Sequence, residues 1–194
     1  MALLYKNEFH DWISVEKASP NFLWFKISKN YTKTTKDIFV CCAYIPPYSS
    51  NYFHPELFED LESDIESFSS QGSVLLMGDL NSRIGKYPDS VSQEGSNIIT
   101  NDQSEYALSL NQRNSFENEL NNHEKRLLEI CRSADLRLLN GRLSGDSLGR
   151  GTFHGRNGTS VVDYAICYQD LFSSVAHFVV KEPSFFSDHS PVIT

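Results

Sequence analysis

A carboxylate and a carboxamide stand two residues apart at the end of an apolar run in this 194-residue chain. The run Val74–Met77 has the composition of a buried strand, and Gly78 after it leaves room for close backbone approach. Because side chains alternate along a strand, Asp79 and Asn81 are predicted to point the same way if the strand continues through Asn81. A carboxylate there can take a proton from water or contact a metal ion, and the amide can orient that water. The alternative is a strand end capped by a turn, where both residue types are common.

Two further acidic positions could do chemistry. Asp163 lies in an apolar run, and because an unpaired charge there costs free energy, it is predicted to have a partner. The alternative places Asp163 on the exposed face of a half-buried strand, with Tyr164 pointing inward. Asp188 and His189 are adjacent, so the carboxylate could contact a metal and the imidazole a phosphate or a second carboxylate. An ordinary pair of polar loop residues is the alternative for these two.

Tyr44 ends another apolar run and is followed closely by two prolines. Because proline cannot donate to a strand ladder, the strand is predicted to stop there. The Tyr44 hydroxyl would then be free to meet a phosphate, whereas the alternative is a tyrosine packed in the core.

The remaining pattern predicts the elements that must position these residues. Runs rich in Val, Ile, Phe and Tyr predict strands at Phe22–Ser28, Ile38–Ile45, Val74–Met77, Val161–Cys167 and Val175–Lys181. Helical spacing predicts one helix after Pro55 and another over about Glu117–Ala134. A short strand is predicted at Leu136–Asn140, and the long polar stretch Asn81–Phe116 is typical of a functional or disordered loop. This alternation predicts an α/β or α+β fold of layered sheets flanked by helices, in a single domain over residues 1–194.

Composition limits the class of protein. The chain is 40% hydrophobic and 22% charged, as globular domains are. No apolar run approaches the ~20 residues that a membrane span needs, so no membrane partner is predicted. The four cysteines have neither zinc-ligand nor disulfide spacing, and the amino terminus does not read as a signal peptide. An intracellular protein, nuclear or cytoplasmic and not secreted, is therefore predicted.

The formal net charge of −8 argues against binding to nucleic acid. The charge is, however, unevenly distributed: residues 54–70 hold six acids, whereas residues 136–157 hold a single acid, Asp146. The latter segment also holds four arginines, which are Arg137, Arg142, Arg150 and Arg156. This distribution weakens the objection without removing it.

The order of the motifs resembles that of the endonuclease/exonuclease/phosphatase superfamily, which includes deoxyribonuclease I-like enzymes, abasic-site endonucleases and inositol phosphatases. The motifs are Tyr44-Ile-Pro-Pro, Gly78-Asp-Leu-Asn, Thr152-Phe with Val162-Asp-Tyr, and Ser187-Asp-His. The chain is most similar to the endonuclease domains of non-LTR retrotransposons, through Tyr44-Ile-Pro-Pro-Tyr-Ser-Ser, Leu138-Leu-Asn-Gly-Arg and Gly151-Thr-Phe. The resemblance covers about residues 40–194 and implies a four-layer α/β sandwich, with two packed sheets flanked by helices.

The resemblance also implies roles for individual residues. Asp79 would activate the attacking water, and Asn81 would position that water or the phosphate. Asp163 would pair with His189 and fix its ring toward the scissile phosphate, which Tyr44 would also contact. Mg²⁺, or Mn²⁺ in its place, would stabilise the charge that develops when water attacks a phosphodiester in line. DNA is the implied substrate, with a reverse-transcriptase region in cis if the full element is intact. The remaining implied roles are metal binding by Asp188 and substrate binding by Asn140, Thr152 and Ser187.

The sequence departs from the superfamily pattern before Tyr44. Members of the superfamily carry one strand with an Asn and another with a metal-binding Glu in that region. Here Glu8 and Glu16 are the only glutamates before Tyr44, and neither follows a strand in the expected context. The chain is therefore predicted to lack the first strands of the domain, to bind Mg²⁺ less tightly, and to have weak activity or none. Two alternatives stay open at this point: an inactive remnant that acts as a binding or non-functional domain, and a phosphoesterase that acts on a small phosphorylated substrate.

Overall fold

The computed structural model describes residues 1–90, 113–119 and 121–194, so most of the predicted polar stretch Asn81–Phe116 lies outside the described residues. The strands are β1 Ile13–Ala18, β2 Phe22–Ile27, β3 Ile38–Tyr44, β4 Ser73–Asp79, β5 Leu136–Leu138, β6 Phe153–Gly155, β7 Gly158–Ser160, β8 Asp163–Tyr168, β9 Val179–Val180 and β10 Val192–Ile193. The α-helices are α1 Lys29–Thr32, α2 Glu56–Ser69, α3 Asn122–Ser133 and α4 Gln169–Phe172, and Asn7–Trp12 forms a 3₁₀ helix.

Six of the strands form one sheet in the order β1-β2-β3-β4-β8-β5. β3 and β4 are parallel, with α2 as the crossover between them, and the other neighbours are antiparallel. The pairs β6–β7 and β9–β10 form two small antiparallel sheets. This mixed architecture of sheets flanked by helices confirms the predicted α/β class. None of the helices within the described ranges has the length and apolar character that crossing a membrane requires.

Alternation along the strands gives the sheet two apolar faces. Helices α2 and α3 cover one face, where their apolar stripes pack against strand residues in a fully buried cluster that includes Leu61, Ile65, Leu127, Trp24 and Leu76. On the other face, a second cluster gathers Phe172 and Phe178 against the β8 side chains Ala165 and Cys167. Burial from both sides explains why the central strands read as nearly continuous apolar runs.

Several predicted elements are shorter than the sequence pattern indicated, and the strand predicted at Leu136–Asn140 ends at Leu138. The helix predicted over Glu117–Ala134 begins only at Asn122, because the side chain of Asn121 caps its first turn. The strand predicted over Val175–Lys181 is reduced to Val179–Val180, because its only strand partner among the described residues is the equally short β10.

Candidate active site

Three of the residues with predicted roles stand at the ends of three adjacent strands. Tyr44 ends β3, Asp79 ends β4 and Asp163 begins β8. The register pairs Tyr44 with Asp79, and Asp79 with Asp163. Residues opposite each other on neighbouring strands lie about 5 Å apart, so backbone pairing alone brings these three together. The Tyr44 side chain is not packed in the core, since the residue is 43% exposed.

Gly78 allows β3 and β4 to approach each other directly before this row of strand ends. A Cβ atom built on Gly78 would lie 2.0 Å from the carbonyl oxygen of Ala43, and the backbone φ of 140° is itself unfavourable for other residues. The close approach predicted for Gly78 is therefore confirmed, and no other residue type fits the position without moving β3.

Asp79 and Asn81 meet, although not by continuation of the strand. β4 ends at Asp79, and Asn81 has a left-handed backbone with φ 46°, so the strand does not continue and the alternative of a strand end followed by a turn applies. The turn lets the Asn81 backbone N–H donate to Asp79 Oδ1 and the Asn81 Nδ2 donate to Asp79 Oδ2, both at 3.0 Å. The same Nδ2 also donates to the Ile45 carbonyl at 2.9 Å. Both amide protons are thus engaged, and Asn81 Oδ1 is left as an acceptor.

Asn121 ties the start of α3 to this turn. Its side chain accepts the N–H of Glu124 at 3.3 Å and that of Arg83 at 3.0 Å, and it donates to the Asn81 carbonyl at 2.6 Å. A left-handed conformation costs a non-glycine residue roughly 1–2 kcal/mol, so these bonds help to hold Asn81 in place. An Asn followed three residues later by Glu is a sequence signal for a helix start, but no sequence signal indicates the contact with Asn81.

Asp163 has the partner that its apolar surroundings predicted. Its Oδ2 lies 2.9 Å from Nδ1 of His189, and the two side chains are 15% and 33% exposed. With the proton on Nδ1, this bond fixes the ring and leaves Nε2 available. Burial disfavours the charged ring, but the hydrogen bond and negative charge of Asp163 outweigh that effect, so the pKa of His189 is raised.

Asn140 and Thr152 hold the beginning of β8. Thr152 Oγ1 accepts the N–H groups of Val162 and Asp163, each at 3.0 Å. Asn140 donates to the Asp163 carbonyl at 3.0 Å and accepts the N–H of Ala165 at 3.2 Å. Both residues are 0% exposed. Their predicted role in substrate binding is corrected, because no surface of either is open to a ligand; they position Asp163 instead.

Ser187 and Asp188 shape the loop that presents His189. Ser187 Oγ accepts the His189 N–H at 3.0 Å, and the Asp188 carbonyl accepts the His154 N–H at 2.8 Å. The Phe153 ring packs against the His189 ring with a centroid distance of 5.0 Å. The side chains of Ser187 and Asp188 are exposed beside His189, and their roles in substrate and metal binding stay predictions.

Asp79, Asp163 and His189 form a group that could hold a metal ion, since their ligand atoms all lie within 4.8 Å of one another. Burial raises the pKa of Asp79 to about 6; the hydrogen bonds from Asn81 oppose this shift and the charge of Asp163 adds to it. A cation beside the two carboxylates would relieve their repulsion, and carboxylate oxygens suit Mg²⁺ and Mn²⁺. The donor set therefore fits a divalent cation, although Asp188, the predicted ligand, is not in the group.

A cavity of about 680 Å³ opens over this row of strand ends. Its lining includes Asp79, Asn81 and His189, together with the two arginines Arg83 and Arg156. Sequence reasoning gave Arg83 no role, although it follows Asn81 by only two residues. The cavity thus combines carboxylates, an imidazole and two guanidinium groups, as a site for a phosphate ester requires.

The four arginines of residues 136–157 do not form one basic surface. Arg142 is buried and its two terminal nitrogens lie 2.6 and 2.7 Å from the carboxylate of Asp89. Arg137 and Arg150 are also paired with acidic side chains. Arg156 lines the cavity, and the Arg150 side chain is exposed, as is its partner Glu182. The predicted basic region is therefore reduced to these two exposed arginines.

Comparisons with known proteins identify the family of the chain. Residues 38–193 match the model of a family described as "Endonuclease-reverse transcriptase". No curated protein matches the chain in sequence.

Solved structures share the fold at low sequence identity. The endonuclease domain of TRAS1, a telomere-specific non-LTR retrotransposon, superposes with a TM-score of 0.60 at 15% identity, over 93% of this chain and 64% of that one. The AP endonuclease LMAP from Leishmania major gives 0.58 at 13% identity, over 89% and 53%. The 3′ phosphatase NExo from Neisseria, bound to a product DNA hairpin, gives 0.57 at 11% identity, over 93% and 68%. This chain therefore spans between about half and two thirds of the length of these structures. The predicted resemblance to the endonuclease/exonuclease/phosphatase superfamily is confirmed.

Proposed function

Because the chain belongs to the endonuclease–reverse transcriptase family, we propose that it hydrolyses phosphodiester bonds of DNA with the help of a divalent cation. The observation that supports this proposal most strongly is the convergence of Asp79, Asn81 and the Asp163–His189 pair on one cavity. These groups come from separate strands and a distant loop, and no requirement of folding alone explains why they should meet in an open cavity.

The proposed roles of the residues follow from which of their atoms are not already engaged in hydrogen bonds. Asp79 takes a proton from the attacking water, and Asn81 Oδ1 accepts the other hydrogen of that water, since both Nδ2 protons are engaged elsewhere. His189 Nε2 faces a phosphate oxygen, and its raised pKa favours the charged ring that would neutralise it. The exposed Tyr44 hydroxyl contacts the same phosphate.

A divalent cation would be held by the carboxylates of Asp79 and Asp163. When bound, it supplies Lewis-acid stabilisation of the negative charge on the phosphate. Asp188 is a further candidate ligand, because it precedes His189 directly and its charge contributes to the raised pKa of that histidine.

Nicking of supercoiled plasmid tests the proposal. The pure protein should convert supercoiled DNA to open circles only slowly when Mg²⁺ or Mn²⁺ is added, because no Glu before Tyr44 matches the metal-binding position of the superfamily pattern. Both Asp79→Ala and EDTA should abolish the conversion. Asp11→Ala, an exposed acid at the start of the chain, is the matched control and should cleave normally. If cleavage is absent at every metal concentration while DNA is still bound, the chain is a binding domain and not a nuclease.

A small phosphorylated substrate is the second candidate. A cavity of about 680 Å³ is within the range of sites for small molecules, roughly 300–1,000 Å³. Release of inorganic phosphate from a soluble inositol polyphosphate, without nicking of plasmid, would favour this function over DNA cleavage.

A further inference from the structure

Arg83 is held in one orientation by a buried carboxylate. Its Nε donates to Glu117 Oε2 at 2.8 Å, and the Glu117 side chain is only 3% exposed. The Glu117 carboxylate also accepts the backbone N–H groups of Asn118 at 3.0 Å and Glu119 at 2.9 Å. Because these bonds hold Glu117 in place, it cannot leave Arg83 without losing them, and the plane of the guanidinium is fixed.

The terminal nitrogens of the same guanidinium form its outer edge, and the partner there is exposed to solvent. Arg83 Nη1 donates to Glu119, whose side chain is 72% exposed. Exposed ion pairs of this kind contribute little to stability, because water screens them and both side chains lose freedom. Glu119 can therefore turn into solvent at small cost, whereas Glu117 stays.

Arg83 is also coupled to the proposed reaction centre. Its backbone N–H donates to Asn121 Oδ1 at 3.0 Å, and Asn121 in turn donates to the carbonyl of Asn81. Arg83, Glu119 and Asn81 line the same cavity. An anion held by the outer edge of Arg83 would thus share the cavity with the phosphate that Asp79 and His189 meet.

We propose that Arg83 binds a phosphate group of the nucleic-acid backbone adjacent to the scissile one, and that Glu119 occupies this position until the phosphate displaces it. The inference rests on the proposed function and adds a binding residue and an internal competitor to it. A guanidinium already oriented through its Nε presents its terminal nitrogens for paired hydrogen bonds to phosphate oxygens. Glu119 carries the same sign of charge as that phosphate, so it opposes binding both by pairing with Arg83 and by repulsion.

The test measures binding of a short fluorescent DNA duplex by anisotropy, in an Asp79→Asn background that prevents cleavage. Glu119→Gln should bind roughly two- to fivefold more tightly, as expected for loss of an exposed competing ion pair. Glu129→Gln is the matched control: Glu129 is 61% exposed, lies on α3 and pairs with Arg126. Each substitution removes one negative charge from the Asp79→Asn background, so a gain confined to Glu119→Gln is a local effect. The gain should shrink as salt is raised.

Arg83→Lys keeps the charge but not the paired hydrogen bonds, and it should weaken duplex binding by about tenfold. The melting temperature of Arg83→Lys, measured together with its affinity, separates a lost contact from a damaged fold.

Equal affinities for Glu119→Gln and Glu129→Gln, or unchanged affinity in folded Arg83→Lys, would overturn the inference and leave the nuclease proposal intact. If Glu119→Gln tightens binding of a soluble inositol polyphosphate but not of DNA, the nucleic-acid source of the phosphate is wrong. If the parent protein neither binds nor cleaves DNA, the proposed function fails, and this inference with it.

Discussion

Asp163 and His189 are 26 residues apart in the sequence, yet their side chains meet at 2.9 Å between Oδ2 and Nδ1. The contact is supported from both sides. Thr152 and Asn140 hold the backbone of Asp163, and Ser187 accepts the backbone N–H of His189. These supports place a histidine of raised pKa beside the Asp79 carboxylate, so several properties of the protein should depend on them.

Asp163→Asn should lower the pKa of His189. The substitution removes the negative charge that outweighs burial of the ring, so the charged imidazole loses its main stabilisation. Proton NMR of the histidine ring hydrogens across pH 5 to 9 measures the change, with the exposed His177 as an internal reference. If the protein cleaves DNA, the rate should fall by about 10²–10⁴-fold. An unchanged His189 titration would contradict the role given to Asp163.

Asp79→Asn should raise the stability of the metal-free protein at neutral pH relative to its effect at acid pH. Burial raises the pKa of Asp79 from 3.8 to about 6, so the folded state holds this proton more tightly than the unfolded state does. The contribution to stability is present below the unfolded pKa and is lost as pH rises through the folded pKa. The native protein should therefore lose about 1 kcal/mol of stability to urea between pH 4.5 and pH 7, after allowance for partial exposure, and the variant should not. The variant also loses the hydrogen bond from Asn81 Nδ2, and that loss is the same at both pH values.

The same comparison at pH 4.5 provides the control for Asp79→Asn. The native carboxyl is mostly protonated there in the folded state, so the variant should be less stable relative to the native protein than it is at pH 7. The same difference between native protein and variant at pH 4.5 and at pH 7 would contradict the raised pKa of Asp79.

Substitutions of Asn121 should separate capping of α3 from positioning of Asn81. Asn121→Ala should lower the free energy of unfolding by about 1–2 kcal/mol, because it removes the helix cap. Asn121→Asp keeps the acceptor for Glu124 and Arg83 but cannot donate to the Asn81 carbonyl. Thermal unfolding should show stability largely recovered in Asn121→Asp, while plasmid nicking stays low. Full recovery of both would remove the positioning role.

His123→Leu should reduce the loss of stability that occurs as the pH falls from 7 to 5. His123 is 1% exposed among the rings of Tyr48, Phe53 and Phe58, and its nitrogens make no hydrogen bond of good geometry with any described residue. Burial lowers the pKa of His123, although the nearby carbonyls of Leu80 and Asn81 oppose that shift.

Because the folded pKa of His123 is lowered, its contribution to stability is present above the unfolded pKa and is lost as pH falls. The gain in stability from His123→Leu should thus be larger at pH 5 than at pH 7, as measured by urea unfolding. His177→Leu, at an exposed position, is the control. An equal effect of His123→Leu at both pH values would mean that the ring is not charged on unfolding in this range.

Much of the architecture could be predicted from local pattern. The runs that became β2, β3, β4 and β8 are apolar throughout because both faces of the sheet are covered, and the stripe after Pro55 became α2. The ends of elements were less accurate. Asn121 shortened the second helix through one side-chain hydrogen bond, and a hydrophobic pattern does not show such a bond.

The sequence by itself determined which residues carry the proposed chemistry, namely Asp79 with Asn81, Asp163 and His189. The order of these residues along the chain indicated the family. Only the tertiary structure decided how they act together. The register across β3, β4 and β8 places Asp79 beside Asp163. The left-handed turn at Asn81 lets both protons of its side-chain amide form hydrogen bonds within the protein. Asn140 and Thr152 are buried, so they support the backbone of Asp163. The physical reason is that hydrogen bonds and burial depend on which strands and loops are neighbours in space. The local pattern of a sequence indicates the periodicity of each element, but it does not indicate which elements will be adjacent.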